Sequence, residues 1–212
     1  MADRASTIFV VDDDPSVRKS LSRLLRSAGH GVELFASADE FLAAGGGKGR
    51  AGCIVLDLQM PGRTGMELQQ ELLKASYSLP IVFVTGHGDV PQSVTAMKGG
   101  AVDFLQKPFD DKALLEAVRR ALEKDREGRS AHREAESARA RLETLTPRER
   151  ELVPWLLTGL LNKQIADRLG IAEKTVKIHR GRVLEKMGVR SIAELVRMAQ
   201  AAGIPPARNP SA

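Results

Sequence analysis

The first 123 residues alternate between short apolar segments, rich in β-branched side chains, and longer stretches with helical spacing. The apolar segments are TIFVV, VELF, CIVLD, IVFVT and VDFLQ, and amphipathic stretches such as PSVRKSLSRLLRSAG separate them. Apolar runs of this length are typical of buried strands, and apolar residues spaced by three and four are typical of helices. This fivefold βα repeat predicts an α/β fold in which helices cover both faces of a parallel sheet.

Polar side chains stand at the ends of the predicted strands. They are Asp12, Asp13 and Asp14 after the first strand, Asp57 at the third, Thr85 at the fourth and Lys107 at the fifth. In a flavodoxin-like (βα)5 fold with strand order 2-1-3-4-5, the first and third strands are neighbours, and ligands bind at the carboxyl ends of the strands. We therefore expect the aspartate run to face Asp57 across one crevice, with Thr85 and Lys107 on the same rim.

Three consecutive carboxylates at the end of a buried strand need compensation, because like charges repel and lose hydration when they are buried. Solvent, a cation or a helix cap can supply it. Asp14 precedes Pro15 and is typical of a helix N-cap. An oxygen-lined pocket with two or three carboxylates suits Mg²⁺. Asp57 beside such a cation is a candidate nucleophile toward a phosphoryl group.

Two further features complete the predicted site. In DLQMPGRTG, glycines and a proline make a tight loop, so the backbone carbonyl of Gln59 is a further candidate metal ligand. Lys107 and Thr85 are expected to contact the transferred phosphoryl oxygens. Pro108 is a candidate for a cis peptide bond, although cis is the minority state for such bonds.

The motifs VVDDD, VLDLQMPGRTG, IVFVTGHGDV and AVDFLQKPF, in this order, resemble the receiver domain of two-component signalling over about residues 5–123. The likeness is nearest to FixJ-type regulators of the NarL/FixJ family. His87, in the TGHGDV motif, is expected to tune the loop beside it. The resemblance implies that Asp57 is the phosphoacceptor, that Asp12 and Asp13 are the acidic pair around Mg²⁺, that Thr85 and Lys107 sense the phosphoryl group, and that Phe104 is the aromatic side chain that rotates on activation.

A charged stretch with few large apolar residues follows. Its apolar residues recur at steps of four and three, which predicts a helix with one weak apolar stripe, although Gly128 interrupts the phase. These residues are Ala131, Ala135, Ala138, Leu142 and Leu145. Such a helix either transmits rearrangements or acts as a solvated spacer, and the pattern favours neither. The predicted domains are a receiver at 1–123, a charged helical linker at 124–142 and a second domain at 143–212.

The second domain begins with a strong helix signal and contains two consecutive helices. In TPRERE, Thr146 is the predicted N-cap, Pro147 the first helical residue and Glu149 the partner in a capping box. LNKQIADRLG and IAEKTVKIHRGRVLEKMG then predict a helix, a turn at Gly170 and a longer helix. The sequence therefore predicts an all-α helix-turn-helix domain.

The charge distribution indicates DNA as the ligand of the longer helix. Residues 1–123 carry 14 Lys and Arg against 16 Asp and Glu, whereas residues 124–212 carry 18 against 11. A basic surface favours a polyanionic partner. The predicted DNA contacts are Lys177, Ile178 and Arg180 in the major groove and Lys174 and Thr175 at phosphates, with Arg182 in the same cationic run.

The segments LTPRERELV, NKQIADRLGIAEKTVKIHRGRVLEKMGVRS and AELVRMA resemble the LuxR-type output domain over about residues 143–203. Two residues depart from the pattern. Pro154 falls inside a predicted helix, which it is expected to kink or shorten. Gly181 stands where many relatives place a side chain that contacts DNA. The resemblance also implies that the last helix forms a dimer contact through Ala193, Leu195, Val196 and Ala199.

Together these features predict a cytoplasmic response regulator rather than an enzyme, apart from the help that the receiver gives to its own phosphorylation and dephosphorylation. The expected partners are a sensor histidine kinase, double-stranded promoter DNA, a second copy of the chain and, as a candidate, RNA polymerase. No membrane partner is expected, since the sequence has no window of about 18 apolar residues and no secretory signal. Two other hypotheses are a Mg²⁺-dependent phosphohydrolase and a constitutive DNA-binding protein with an inactive receiver.

Overall fold

The computed structural model describes residues 6–74, 79–86 and 90–208 of the chain. The chain divides into two compact units, Met1–Gly128 and Arg129–Ala212. Each unit has hydrophobic clusters of its own. Within the described ranges, no helix is both long enough and apolar enough to cross a membrane.

A parallel five-stranded sheet forms the centre of the first unit. Its strands are β1 (Thr7–Val11), β2 (Gly31–Phe35), β3 (Gly52–Asp57), β4 (Ile81–Thr85) and β5 (Asp103–Gln106). The spatial order is β2-β1-β3-β4-β5, and all four pairings are parallel. The helices are α1 (Pro15–Ser27), α2 (Ala38–Ala43), α3 (Gly65–Leu73), α4 (Val90–Lys98) and α5 (Asp111–Glu143). This topology confirms the predicted flavodoxin-like (βα)5 fold.

Apolar clusters cover both faces of the sheet, which explains why the strands are continuous apolar runs in the sequence. Successive residues of a strand point to opposite faces, and all six residues of β3 are buried. Ile54 and Phe83 belong to the cluster that includes residues of α2 and α3. Val55 and Val84 belong to the other cluster, with residues of α1 and α5. Helices on both faces therefore leave only the ends of the central strands accessible.

The register of the strands brings their carboxyl ends to one edge. Val11 pairs with Leu56, so Asp12 and Asp57 each come next on adjacent strands. Asp57 in turn pairs with Val84, the residue before Thr85. The sheet alone therefore places Asp12, Asp57 and Thr85 side by side.

Two local predictions about this edge are confirmed. The Asp14 side chain accepts hydrogen bonds from the backbone N–H groups of Ser16 and Val17, and Pro15 is the first residue of α1. The Lys107–Pro108 peptide bond is cis. Asp14 thus serves as a helix cap, and the three aspartates of the run are not equivalent.

The helix α5 runs from Asp111 to Glu143 without a break at Gly128. In the first unit, its Asp125 is buried and accepts a hydrogen bond from the backbone N–H of Gly52 at 3.2 Å. In the second unit, its Ala138 is buried and its Leu142 packs against the core. The stretch 124–142 is therefore helical, as predicted. The domain boundaries at 123 and 142 stay a proposal, because Asp125 is hydrogen-bonded within the first unit and Ala138 is buried in the second.

The described part of the second unit contains four further helices. They are α6 (Pro147–Leu156), α7 (Asn162–Leu169), α8 (Glu173–Met187) and α9 (Ile192–Ala201). Thr146 and Glu149 form the predicted capping box at the start of α6. Gly170 follows α7 in the left-handed region, with φ 63°. Since Val176 and Val183 of α8 are buried in the core, α7 and α8 form the predicted helix-turn-helix.

Pro154 lies inside α6 and cannot donate the backbone hydrogen bond that other residues would give at this position. The helix ends at Leu156, two residues after the proline. The carbonyl of Pro154 accepts a hydrogen bond from the backbone N–H of Ala207 at 2.9 Å. The helix is therefore short, and a later part of the chain satisfies one of its last carbonyl groups.

The implied dimer contact through α9 needs a correction. Leu195 and Ala199 are buried within their own unit, so they cannot reach a second copy of the chain. Ala193 is exposed and Val196 is half-buried. The amphipathic pattern of α9 therefore serves first to pack the helix on its own core, and a dimer contact could use only the other face.

Candidate functional site

Carboxylates from two strand ends converge at the edge of the sheet. One oxygen each of Asp12, Asp13 and Asp57 lies within 4.8 Å of the others. Asp12 is fully buried and Asp57 nearly so, whereas Asp13 is exposed. The structure thus brings together the acidic residues that the sequence predicted to form one site.

The ammonium group of Lys107 bridges the two buried carboxylates. Its Nζ lies 2.7 Å from Asp12 Oδ2 and 2.8 Å from Asp57 Oδ2. A buried carboxylate is costly without a cation or hydrogen bonds, and two that face each other repel in addition. Lys107 therefore supplies part of the compensation that the acidic run requires.

Burial raises the pKa of the Asp57 carboxyl, although hydrogen bonds from Lys107 and from the backbone N–H of Gln59 oppose this rise. Burial also lowers the pKa of the Lys107 amine, but hydrogen bonds to Asp12 and Asp57 outweigh burial and leave that pKa raised. Lys107 is therefore held as a cation at neutral pH. Asp57 thus stays the candidate nucleophile, and a cation lies directly beside its carboxyl group.

The loop after β3 folds back over Asp57. The backbone N–H of Gln59 donates to Asp57 Oδ1 at 3.2 Å, and the backbone N–H of Gly65 donates to the carbonyl of Leu58 at 3.0 Å. A Cβ atom at Gly65 would overlap the carbonyl oxygen of Asp57. Gly65 is the second glycine of PGRTG, and the tight loop predicted there is the only sign of this close approach in the sequence.

Arg18 is a second residue of the site that the sequence analysis missed. It lies on α1, and its Nη1 donates to the backbone carbonyl of Asp12 at 2.6 Å. The backbone N–H of Asp14 donates to Asp12 Oδ1 at 2.9 Å. Since Lys107 holds the other carboxylate oxygen, hydrogen bonds fix both the backbone and the side chain of Asp12.

Thr85 and Phe104, the predicted sensing and switching residues, lie on the adjacent strands β4 and β5. Thr85 is fully buried, and its carbonyl accepts a hydrogen bond from the backbone N–H of Lys107 at 2.7 Å. Phe104 is half-buried and pairs with Phe83, with 6.4 Å between the ring centroids. His87 lies outside the described residues. Thr85 and Lys107 are therefore tied to each other, while Phe104 lies at the margin of the core.

In the second unit, the predicted DNA contacts of α8 differ in exposure. The buried residues Val176 and Val183 define the side of the helix that faces the core. The exposed residues are Lys174, Lys177, Ile178 and Arg182, and the half-buried ones are Thr175 and Arg180. Four of the six side chains are therefore free of the core and available to a partner.

Lys186 belongs to the cationic run of α8 but has an internal partner. Its Nζ lies 2.6 Å from Glu149 Oε2, and Glu149 is 1% exposed. The hydrogen bonds from Lys186 and from the backbone N–H of Thr146 lower the pKa of Glu149 to about 2. The charge of Lys186 therefore stabilises the start of α6, and a simple count of charges overstates the cations of α8 that are available to a partner.

Replacing Glu149 with glutamine is expected to reduce the free energy of unfolding of the second unit by about 2 kcal/mol at neutral pH, because Lys186 loses a charged partner. The pKa of Glu149 is lowered in the folded state, so its contribution is complete above the ordinary pKa of the carboxyl. That contribution is lost as the pH falls toward the folded-state value of about 2. The free energy of unfolding of the Glu149→Gln variant should lack this contribution and therefore its loss in acid. Urea unfolding at several pH values, followed by the fluorescence of Trp155, measures both effects.

The matched control for this experiment is Glu151→Gln. Glu151 pairs with Arg148 at 2.8 Å, but both side chains are largely exposed. Pairs of this kind contribute at most about 1 kcal/mol. Equal losses in the two variants would contradict the account given for Glu149.

Models of known protein families match both units of the chain. The chain matches the family model of the response regulator receiver domain over residues 8–119. It matches that of the bacterial regulatory proteins of the luxR family over residues 143–199. The first match contains every residue of the acidic edge, and the second contains all of α6, α7 and α8.

Relatives and solved structures cover nearly the whole chain. The chain is 49% identical to Nodulation protein W of Bradyrhizobium diazoefficiens over 203 residues, which are 96% of this chain and 89% of that protein. It is 48% identical to Transcriptional regulatory protein FixJ of Azorhizobium caulinodans over 205 residues, 94% of each. The solved structure of response regulator StyR is 47% identical, with a TM-score of 0.78 over 92% of this chain and 98% of that one. The chain therefore belongs to the response regulators of the NarL/FixJ family, with a receiver domain followed by a LuxR-type DNA-binding domain.

Proposed function

We propose that this protein regulates transcription under the control of phosphorylation at Asp57. A sensor histidine kinase or a small phosphodonor supplies the phosphoryl group, and the modified chain forms a homodimer that binds double-stranded promoter DNA. The observation that carries the proposal is the convergence of Asp12, Asp13 and Asp57 at one edge, with Lys107 between two of them.

Asp57 is the proposed nucleophile. One of its carboxylate oxygens forms a bond to phosphorus while the bond from phosphorus to the donor breaks, and the donor leaves with the electron pair of that bond. With a histidine kinase the leaving group is an imidazole nitrogen. Lys107 already contacts Asp57 and is placed to donate a hydrogen bond to the transferred group. The receiver thus assists its own modification without acting on other substrates.

The acidic cluster fits a hard divalent cation. Its three donors are carboxylate oxygens, which Mg²⁺ prefers, and Mg²⁺ usually keeps several waters beside one or two protein carboxylates. We propose Asp12, Asp13, Asp57 and the backbone carbonyl of Gln59 as its ligands. When bound, Mg²⁺ supplies positive charge that stabilises the oxygens of the phosphoryl group.

Thr85, Lys107 and Phe104 are the proposed residues that convert phosphorylation into a change of surface. A phosphoryl group on Asp57 would offer Lys107 new acceptors in place of its present ones, and Thr85 is tied to Lys107 through the backbone. Phe104 lies at the margin of the core, so a rotation of its ring would leave the core packing largely intact. The proposed dimer surface is formed by α4, β5 and α5. The exposed apolar side chains of Val94 and Met97 on α4 support it.

The helix α8 is the proposed recognition helix. Its exposed cations Lys174, Lys177 and Arg182 support binding to a polyanion. Lys177 and Ile178 are the proposed contacts to base edges, and Lys174 and Thr175 are proposed to hold phosphates. Arg180 and Arg182 complete the proposed contact set. A dimer presents two such helices and would bind a two-part site more tightly than one chain.

The proposal predicts that the full chain changes its oligomeric state and its DNA affinity when a phosphoryl mimic is bound. Light scattering after gel filtration should detect a shift from monomer to dimer when beryllofluoride and Mg²⁺ are added. The affinity for a duplex that the activated chain selects from a random library should rise by at least ~10-fold, because both halves of the site are then engaged. Fluorescence anisotropy with the labelled duplex measures this change.

A conservative cap variant serves as the control. Asp14→Asn keeps a good helix cap and leaves the acidic cluster intact, so it should respond like the wild type. A wild-type chain that changes neither its oligomeric state nor its DNA affinity would contradict the proposal. Equal affinity with and without beryllofluoride is the result expected of a constitutive DNA-binding protein. Repeated turnover of small phosphate esters is the result expected of a phosphohydrolase.

A further inference from the structure

Arg180 lies on a different side of α8 from most of the proposed DNA contacts. Successive residues of an α-helix are about 100° apart, so that Lys174, Ile178, Gly181 and Glu185 cluster around one line along the helix. All four residues are exposed. Arg180 projects about 130° away from the middle of this group, and it is half-buried. Its position is therefore the flank of the helix and not the side that would face the base pairs.

Asn162 holds the side chain of Arg180 on this flank. Arg180 Nη1 donates a hydrogen bond to Asn162 Oδ1 at 3.1 Å. Asn162 is the first residue of α7 and is itself half-buried. The hydrogen bond joins the two helices of the helix-turn-helix and brings the guanidinium group to the start of α7, where the next residue, Lys163, is exposed. A restrained arginine loses less conformational freedom when it binds a ligand.

Gly181 lies at the middle of the exposed side of α8, where it has no side chain that would keep a partner away from the helix backbone. A Cβ atom there would have no described atom within 4 Å, so the backbone of α8 is open to a partner at this point. A helix without a side chain at the middle of its exposed side can lie deeper in the major groove. The flanks of such a helix then come close to the sugar-phosphate walls of the groove.

We infer that Arg180 contacts a DNA phosphate rather than a base edge, and that Asn162 is the residue that positions it. The inference rests on the proposed binding of DNA by α8 and refines the role of one contact. A guanidinium group has five N–H donors, so the hydrogen bond to Asn162 leaves others for phosphate oxygens. Phosphate contacts add affinity for every sequence, whereas base contacts discriminate between sequences. The Asn162–Arg180 pair therefore sets affinity and orientation, and Lys177 and Ile178 set base preference.

The test uses the full chain, activated with beryllofluoride and Mg²⁺, and two duplexes of equal length. The wild-type chain selects one duplex from a random library, and the other contains the same bases in scrambled order. Arg180→Gln removes the charge but keeps an N–H donor for Asn162, so the contact between α7 and α8 can persist. Lys177→Gln is the matched comparison on the exposed side of α8. Circular dichroism verifies that each variant is folded.

Arg180→Gln is expected to weaken binding to both duplexes by the same factor, about 3- to 10-fold, and to leave their affinity ratio unchanged. The slope of log affinity against log salt concentration should fall by about one per bound chain, since one phosphate contact is lost. Lys177→Gln should instead reduce the affinity ratio by about 10-fold or more, as expected for a base contact. Arg180→Lys retains the charge and should retain the salt slope.

The role of Asn162 has a separate readout. Asn162→Ala should weaken binding to both duplexes in the wild-type background and cause no further loss in the Arg180→Gln background. Additive losses would contradict a positioning role. Arg180→Gln would overturn the inference if it left binding to the scrambled duplex unchanged, or if it relaxed the base preference at one position. A wild-type chain that binds neither duplex would contradict the proposed function itself, which is a different outcome.

Discussion

An Asp57→Asn variant is expected to incorporate at least ~100-fold less phosphoryl group than the wild type when it is incubated with acetyl phosphate and Mg²⁺. Asparagine has nearly the same size as aspartate, so it can remain next to Lys107 and Gln59. Its amide is a much poorer nucleophile than a carboxylate. The substitution therefore removes the chemistry and preserves the packing. Electrophoresis in gels that retard phosphorylated proteins measures the incorporation.

Two other aspartates of the acidic run provide the comparisons, Asp14 outside the cluster and Asp13 within it. Asp14→Asn changes the cap of α1 and should be phosphorylated like the wild type, because Asp14 is not in the acidic cluster. Asp13→Asn removes a proposed metal ligand and should require more Mg²⁺ for the same extent of phosphorylation. Labelling of Asp57→Asn at a rate close to that of the wild type would place the acceptor at another residue.

A Lys107→Met variant is expected to lose about 3 kcal/mol of unfolding free energy when Mg²⁺ is chelated, because two buried carboxylates lose their shared cation. Methionine fills much of the volume of lysine, so the loss reports the charge. Added Mg²⁺ should stabilise this variant more than the wild type, since a divalent cation can compensate Asp12 and Asp57 in place of the ammonium group. Trp155 lies in the second unit, so its fluorescence follows the unfolding of that unit, whereas circular dichroism follows both units. The unfolding of the first unit is therefore the part of the circular dichroism transition that is not accompanied by a change in fluorescence.

Lys19→Met is the matched control, since Lys19 is an exposed residue of α1. Its effect should stay within about 0.5 kcal/mol, which is usual for surface substitutions. Two results would show that Lys107 does not compensate the acidic cluster. One is equal stability of Lys107→Met and the wild type when Mg²⁺ is chelated, and the other is equal stabilisation of both chains by added Mg²⁺.

The acidic edge could be predicted from the sequence because the fold converts strand ends into neighbours. Parallel strands end at the same side of a sheet, so finding Asp12 and Asp57 at the ends of two strands was sufficient to place them together. Local signals were equally sufficient at helix starts. Asp14 before Pro15 and Thr146 before Pro147 both cap helices as predicted.

Contacts between distant parts of the chain could not be predicted in this way. Lys107 was expected near the phosphoryl group, but no local pattern shows that its ammonium group bridges Asp12 and Asp57. In the sequence, Lys186 counts as one more cation of α8. Only the folded chain brings it to Glu149, 37 residues earlier, where its charge is used internally.

Predictions about surfaces failed where an apolar residue had two plausible partners. Leu195 and Ala199 have the spacing of a contact face, and the sequence does not reveal whether that face meets its own core or a second chain. The structure assigns both to the core of the second unit. The DNA contact of Arg180 stays a prediction, and the buried spacing of Val176 and Val183 indicates that Arg180 lies on a flank of α8.

The central claim is that Asp57 accepts a phosphoryl group at the acidic edge. Borohydride reduces an aspartyl phosphate to homoserine, so reduction after incubation with acetyl phosphate and Mg²⁺, followed by peptide mass spectrometry, identifies the acceptor directly. The account predicts homoserine at position 57 and unmodified Asp12 and Asp13. Homoserine at another aspartate, or at none in a chain whose donor has been consumed, would contradict it.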